Sequence, residues 1–147
     1  MFISRSPEET AALGETWGRE LQPGWVLALT GTLGAGKTQL VRGLARGLGS
    51  PARVHSPTFV LVHLYEGGRL PLHHLDLYRL TGPEEVIGAG LEDYLYPRQA
   101  VAVIEWAERW LGEGSDAVHP GIRKLRRVRM EIGAGDLREI EYEDSGA

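Results

Sequence analysis

The segment Gly31-Thr32-Leu33-Gly34-Ala35-Gly36-Lys37-Thr38 fits the eight-residue pattern of a phosphate-binding loop: glycine, four residues of any type, then Gly-Lys-Thr. Each residue type has a physical task in that pattern. The glycines let backbone N–H groups curl around a β-phosphate, and a following helix directs its N-terminal dipole at the same charge. Lys37 can neutralise β and γ oxygens, and the Thr38 hydroxyl can ligate magnesium. In a chain of this composition the pattern is expected about 0.003 times by chance, so a glycine-rich turn with a surface lysine is a poor account of it.

A magnesium nucleotide also needs a carboxylate near Thr38, usually at the end of a neighbouring apolar strand. Two acids stand in such places: Glu105 closes Ala100-Val101-Ala102-Val103-Ile104, and Asp76 follows Leu72-His73-His74-Leu75. A strand-end acid on its own is usually a solubilising group, but a phosphate loop in the same short chain turns both into candidates for metal or catalytic work. Thr58, after Ser56-Pro57, could sense a γ-phosphate as switch loops do. An ordinary turn threonine accounts for its spacing equally well. His55, His63, His73, His74 and His119 form no HExxH or Cys/His array and read as structural or surface groups. Trp106 and Trp110, four apart, read first as one helix face packed on the core, with a role for Trp106 at the nucleotide edge as the lesser alternative.

These residues need elements to hold them. Ser6-Pro7-Glu8-Glu9 starts a helix, with Ser6 as cap, Pro7 at the first turn and Glu9 completing a capping box, and Leu13, Trp17 and Leu21 recur on one face. Pro23-Gly24 ends it, and the apolar run Trp25 to Leu29 predicts a strand buried on both faces. Leu40, Val41, Leu44, Ala45 and Leu48 carry helical periodicity up to Gly49, a glycine placed for a left-handed cap. Phe59 to Tyr65 and Leu70 to Leu77 read as a hairpin around Glu66 to Arg69. Thr81 with Glu84 starts a short helix, Ala100 to Glu105 is a second buried strand, and Trp106 to Leu111 is helical.

Arg127 to Ile132 and Leu137 to Tyr142 alternate as two strands joined near Gly133 to Asp136. Matching their apolar faces places Val128 opposite Tyr142 and Met130 opposite Ile140, hence Arg129 opposite Glu141 and Arg127 opposite Glu143. Arg123, Lys124 and Arg126 then precede the paired stretch, free to meet an acidic partner or tRNA. The order of elements predicts an α/β fold of the P-loop NTPase type, with a mainly parallel central sheet, helices on both faces and a C-terminal β-hairpin.

Composition narrows the function classes. The 147 residues fit a single domain with one sizeable core, and 42% apolar, 24% charged and 20 glycines are the make-up of a globular chain rich in glycine-built loops. No apolar stretch approaches the roughly 20 residues of a membrane helix, and no secretory h-region follows Met1, so a cytoplasmic address is expected. Without cysteine there is no disulfide or thiolate chemistry. A net charge of -4 argues against a stand-alone nucleic-acid binder held by phosphate neutralisation.

Several motifs together resemble the TsaE family, also called YjeE, small P-loop ATPases of bacterial tRNA threonylcarbamoyladenosine synthesis. The resemblance runs from about Ser6 to Trp110 and rests on the phosphate loop, Arg42-Gly43-Leu44, Ser56-Pro57-Thr58-Phe59, Tyr65, His74-Leu75-Asp76-Leu77-Tyr78-Arg79 and Ile104-Glu105-Trp106. It implies ATP and magnesium as cofactors, bound through Leu33, Gly34, Ala35, Gly36, Lys37 and Thr38. It further implies a switch role for Thr58 and magnesium or catalytic roles for Asp76 and Glu105. By the same resemblance the chain would act with the TsaD and TsaB proteins in modifying adenosine 37 of tRNAs that read ANN codons, touching tRNA at most through the complex. Gln39 and Ala107 stand where the family commonly has Thr and Pro; neither removes a phosphate or metal ligand.

Two other functions use the same loop. A small-molecule kinase must shield the γ-phosphate from water, usually with a mobile lid, and no Arg-rich lid helix is evident here. A GTP switch module commonly reads guanine with Asn-Lys-x-Asp, and this chain has no Asn.

Overall fold

Continuous apolar runs and period-two alternation assemble into one sheet with helices on both of its faces. The computed structural model describes residues 1–32, 35–54, 61–111, 122–135 and 137–146. In chain order the elements are β1 (Phe2–Ser4), α1 (Pro7–Glu20), β2 (Trp25–Gly31), α2 (Lys37–Gly47), β3 (Val62–Tyr65), β4 (Leu72–Asp76), α3 (Pro83–Gly88), α4 (Glu92–Leu95), β5 (Val101–Glu105), α5 (Glu108–Leu111), β6 (Lys124–Ile132) and β7 (Arg138–Gly146).

The seven strands lie in the order β1-β7-β6-β2-β5-β4-β3. β6, β2, β5 and β4 are mutually parallel, whereas β3 and β7 run antiparallel to their neighbours. Alternation along β2 explains the layering. Leu27 and Leu29 join Trp17, Leu40, Leu44, Val103 and Met130 in the core under α1 and α2. Val26 and Ala28 face the opposite core, with Leu75, Val86, Leu95, Ile104 and Trp110. A strand buried on both sides has to be apolar throughout, as Trp25 to Leu29 is.

The first helix begins as its sequence dictates: the Glu9 N–H donates to Ser6 Oγ at 3.1 Å, Pro7 occupies the first turn, and Glu9 Oε1 accepts from the Arg5 N–H at 3.2 Å. Its carbonyl end is closed from the β3–β4 turn, where Arg69 Nη2 donates to Gly18 O and Leu21 O at 2.8 Å each. Between α1 and α2 the backbones nearly touch. A Cβ at Gly43 would lie 2.0 Å from Ala11 O, and one at Gly14 2.3 Å from Leu40 O. Larger residues there would push α2, the helix that carries Lys37, off the sheet.

The C-terminal hairpin has the predicted register: Val128 opposes Tyr142, Met130 opposes Ile140, Arg129 opposes Glu141 and Arg127 opposes Glu143. Three details differ from expectation. The Arg129 side chain bonds Glu131 on its own strand at 3.1 Å, not Glu141. Pairing also begins earlier, at Lys124 opposite Gly146. Arg126 is thus no free cation: it is 7% exposed, donates to both Asp144 oxygens at 2.6 and 2.9 Å, and lies 4.8 Å from the Trp17 ring and 4.9 Å from that of Tyr142. Lys124 lies 3.6 Å from the same carboxylate and 4.3 Å from the Trp25 ring centre. The flat guanidinium stacks where an aliphatic side chain would otherwise pack, which is why a basic run can be an inner strand.

Elsewhere, α3 is capped by Gly82 rather than Thr81, and Glu85, not Glu84, reaches back to the Thr81 N–H at 2.7 Å. Trp106 and Ala107 form a turn before α5, so Trp106 and Trp110 do not share a helix face. β1 was not foreseen at all. The predicted start of the first hairpin at Phe59 lies outside the described residues.

Candidate functional site

The site forms at the carboxyl ends of β2, β5 and β4, the edge at which open parallel sheets bind their ligands. Strand β2 ends at Gly31, whose φ is +115° and whose missing Cβ would stand 2.0 Å from Met130 O on β6. No other residue fits that exit. The chain then turns, with Ala35 N donating to Thr32 O at 3.1 Å, and enters α2 through Gly36 at φ +97°. Gly36 offers no side-chain cap, and the first turn of α2 carries no acid, so the helix opens on Lys37 and Thr38 with its N–H groups unneutralised by side chains.

Lys37 is 5% exposed. Its Nζ donates to Gly31 O at 2.9 Å and lies 4.5 Å from the Trp106 ring centre. Burial pushes the ammonium below its usual range, against the pull of Glu105, Glu108, Asp76 and Glu131. Lys37 is thus a buried cation held by one carbonyl and one aromatic face, with carboxylates around it.

The two predicted carboxylates are brought together. Asp76 and Glu105 are register partners at the ends of parallel strands β4 and β5. Period two puts Asp76 on the same side of β4 as Leu72, and Glu105 on the same side of β5 as Val101 and Val103, which is the α2 side. Asp76 Oδ1 accepts the Tyr78 N–H at 2.9 Å. Burial, and after it the charge of Glu105, pushes the Asp76 carboxyl above the ordinary carboxylate range despite that bond. Glu105 is 6% exposed, and its Oε2 lies 2.5 Å from His74 Nε2.

Asp76, Glu105 and the Thr38 hydroxyl are hard oxygen donors of the kind magnesium takes, and a cation would relieve the cost of a desolvated acid beside a second one. Among the described residues no group of three or more His, Cys, Asp or Glu could by itself hold a metal ion. Of the predicted site residues, Ala35, Gly36, Lys37, Thr38, Asp76 and Glu105 are described; Leu33, Gly34 and Thr58 lie outside the described residues.

Further groups stand at the site to which sequence reasoning assigned no leading role. Trp106, at φ +58°, has left-handed backbone, which costs a residue with a Cβ roughly 1–2 kcal/mol and is typical of functional sites. Its ring meets Tyr78 at 5.0 Å as well as Lys37. Glu131 Oε2 accepts from Thr32 Oγ1, and that bond, with Arg129, holds its carboxyl below the usual range. His74 carried a readable signal: Leu72, His74 and Asp76 alternate on one face of β4, so His74 had to share the buried side of the strand with Asp76.

A parallel sheet carrying strand, Gly-Lys-Thr loop and helix, with acids on adjacent strand ends, is a P-loop NTPase fold. The family model for "Threonylcarbamoyl adenosine biosynthesis protein TsaE" matches residues 4–136. A tRNA threonylcarbamoyladenosine biosynthesis protein TsaE of Treponema pallidum is 46% identical over 111 residues, covering 76% of this chain and 81% of that protein. The protein of the same name from Bacillus subtilis is 44% identical over 141 residues, 93% of this chain and 80% of its own. The crystal structure of Bacillus subtilis YdiB superposes with a TM-score of 0.71 at 31% identity, covering 96% of this chain and 82% of that one. The chain belongs to the TsaE family.

Among the described residues no helix is long and apolar enough to cross a membrane.

Proposed function

We propose that this chain binds ATP with magnesium and hydrolyses it, as the ATPase subunit of tRNA threonylcarbamoyladenosine synthesis on adenosine 37 of tRNAs reading ANN codons. The observation that carries this reading is the convergence of Lys37 with Asp76 and Glu105 at one sheet edge, beside a helix N-terminus lacking acids. The relatives' names supply the pathway.

In this reading Lys37 leaves Gly31 O for β and γ phosphate oxygens, exchanging a neutral acceptor for a charged one. The first N–H groups of α2 face the same phosphates. Thr38 with one of Asp76 and Glu105 would hold magnesium, directly or through water, and the other carboxylate would orient the attacking water. The ion, when bound, neutralises charge that develops on the transferring phosphoryl group.

Completing such a site in trans is a known device of P-loop enzymes, and no arginine is marked by the sequence as a finger in cis. TsaD and TsaB, in the cytoplasm, are the partners we propose. The test is ATP turnover by the purified chain alone, then with TsaD and TsaB, then with tRNA. Slow basal turnover raised about 10-fold or more by the partners is expected, since completing a P-loop site in trans has large effects. Fast turnover by the chain alone, unchanged by partners, would contradict the proposal.

A further inference from the structure

Behind Glu105 stands a buried chain of hydrogen bonds that the proposed reaction does not by itself require. His74 is 0% exposed. Its Nε2 lies 2.5 Å from Glu105 Oε2, and its Nδ1 lies 3.0 Å from the hydroxyl of Tyr65, itself buried. Three strands contribute one member each: Tyr65 from β3, His74 from β4 and Glu105 from β5.

With Glu105 ionised and His74 neutral, the chemistry of the three groups sets the direction of the bonds. An ionised carboxylate only accepts, so Nε2 carries the hydrogen and donates to Oε2. In a neutral imidazole Nδ1 is then the acceptor, and the Tyr65 hydroxyl donates to it. Every polar atom of the imidazole is satisfied, and the ring can neither flip nor tilt without breaking a bond in a site closed to water. This is the arrangement by which groups behind a ligand fix its rotamer and orientation.

We propose that His74, backed by Tyr65, is the positioning residue for Glu105. By occupying Oε2 it sets the plane of the carboxylate, leaves Oε1 for the magnesium ion or its water, and keeps Glu105 from swinging onto the buried Lys37 ammonium. The alternative pairing is a real competitor, because Glu105 is the strongest of the acidic influences on Lys37. Glu105 pinned by His74 leaves Lys37 on Gly31 O, where an incoming phosphate can take it. Asp76 is held independently by the Tyr78 N–H, so the two acids at the site are oriented by different supports. The inference rests on the proposed magnesium nucleotide reaction, and it adds a specific role for two residues that contact neither substrate nor metal.

The experiment compares wild type with His74→Leu, His74→Gln and Tyr65→Phe in the full chain. Three readouts are used: kcat and KM for ATP, affinity for Mn2+ in the presence of ADP by electron paramagnetic resonance, and ADP affinity without metal. His74→Leu is expected to lower kcat and to weaken Mn2+ binding by about 10- to 100-fold, with metal-free ADP affinity within about twofold of wild type. His74→Gln, which can present an N–H near the place of Nε2, should recover part of both losses. Tyr65→Phe, which removes the hydroxyl bonded to Nδ1, should fall between wild type and His74→Leu. The 15N spectrum of His74 adds a readout independent of activity: the Nε2–H tautomer is expected in wild type, with the Nδ1 resonance displaced in Tyr65→Phe. Wild-type kcat and Mn2+ affinity in His74→Leu would overturn the proposal, as would equal loss of metal-free and metal-dependent binding with no rescue by His74→Gln. Should His74→Leu fail to fold, His74→Gln and Tyr65→Phe decide between the same outcomes. A wild-type chain that binds no nucleotide with Mn2+ would overturn the functional reading itself, whereas active wild type with indifferent variants overturns only the role of His74.

Discussion

Asp76 closes β4 and Glu105 closes β5 as direct partners across two parallel strands, and burial holds the Asp76 carboxyl above its usual range. Two acids so placed cost stability. Asp76→Asn should therefore raise stability of the ligand-free chain by about 0.5–1 kcal/mol at neutral pH, as neutralising a functional-site acid commonly does. The sign follows from linkage: the native carboxylate is penalised above its raised pKa, and the penalty disappears as pH falls through that pKa and the acid protonates. Thermal unfolding against pH should show the variant's advantage shrinking on acidification. The same variant, and Glu105→Gln, should lower turnover by about 10²-fold or more while weakening nucleotide binding far less. Full activity in both would remove the two acids from the reaction.

The Arg126–Asp144 pair should act on stability alone. Its guanidinium is buried among Trp17, Trp25 and Tyr142, so Asp144→Asn strips a buried charge of its partner and should cost about 1–3 kcal/mol at neutral pH. Arg126 holds the Asp144 carboxyl below its ordinary value of 3.8, so the contribution is present above that value and lost as pH falls through the depressed pKa. Chemical denaturation at pH 7 and pH 3 measures the difference, which should narrow at the lower pH. Equal stability of variant and wild type at pH 7 would contradict a stabilising role for the pair.

The α1–α2 crossing should tolerate no side chain at Gly43. A Cβ there meets Ala11 O at 2.0 Å, backbone that cannot step aside, so Gly43→Ala should destabilise by about 1–3 kcal/mol despite alanine's better helix propensity. Gly88→Ala, where a Cβ meets nothing within 4 Å, is the control and should be near neutral. Thermal melts of the two variants compare them directly.

What could be read from residues alone divides along physical lines. Trp25 to Leu29 and Val101 to Ile104 announce themselves because a strand buried on both faces has no polar positions to confuse it. The β6–β7 register was legible because Val128, Met130, Ile140 and Tyr142 alternate with charges, and a slip by one residue would expose every apolar side chain. The phosphate loop was legible because its glycines answer local backbone needs. β1 escaped notice because three residues carry too little periodicity, and its place beside β7 is set by pairing with residues far along the chain. Arg126 was misjudged because what buries it, the rings of Trp17, Trp25 and Tyr142, comes from three separate elements. His74 was grouped with unremarkable histidines because its partners, Tyr65 and Glu105, come together only when β3, β4 and β5 align.

In the proposed function Lys37 exchanges Gly31 O for a nucleotide phosphate. Calorimetric titration of wild type and Lys37→Ala with ATP and magnesium tests it most directly. Losing a charge-assisted contact to phosphate costs on the order of 2–3 kcal/mol, so the variant should bind about 30- to 150-fold more weakly. GTP, titrated in parallel, should bind wild type less well than ATP. Wild-type affinity for MgATP in Lys37→Ala, or no binding by the wild-type chain, would contradict the account.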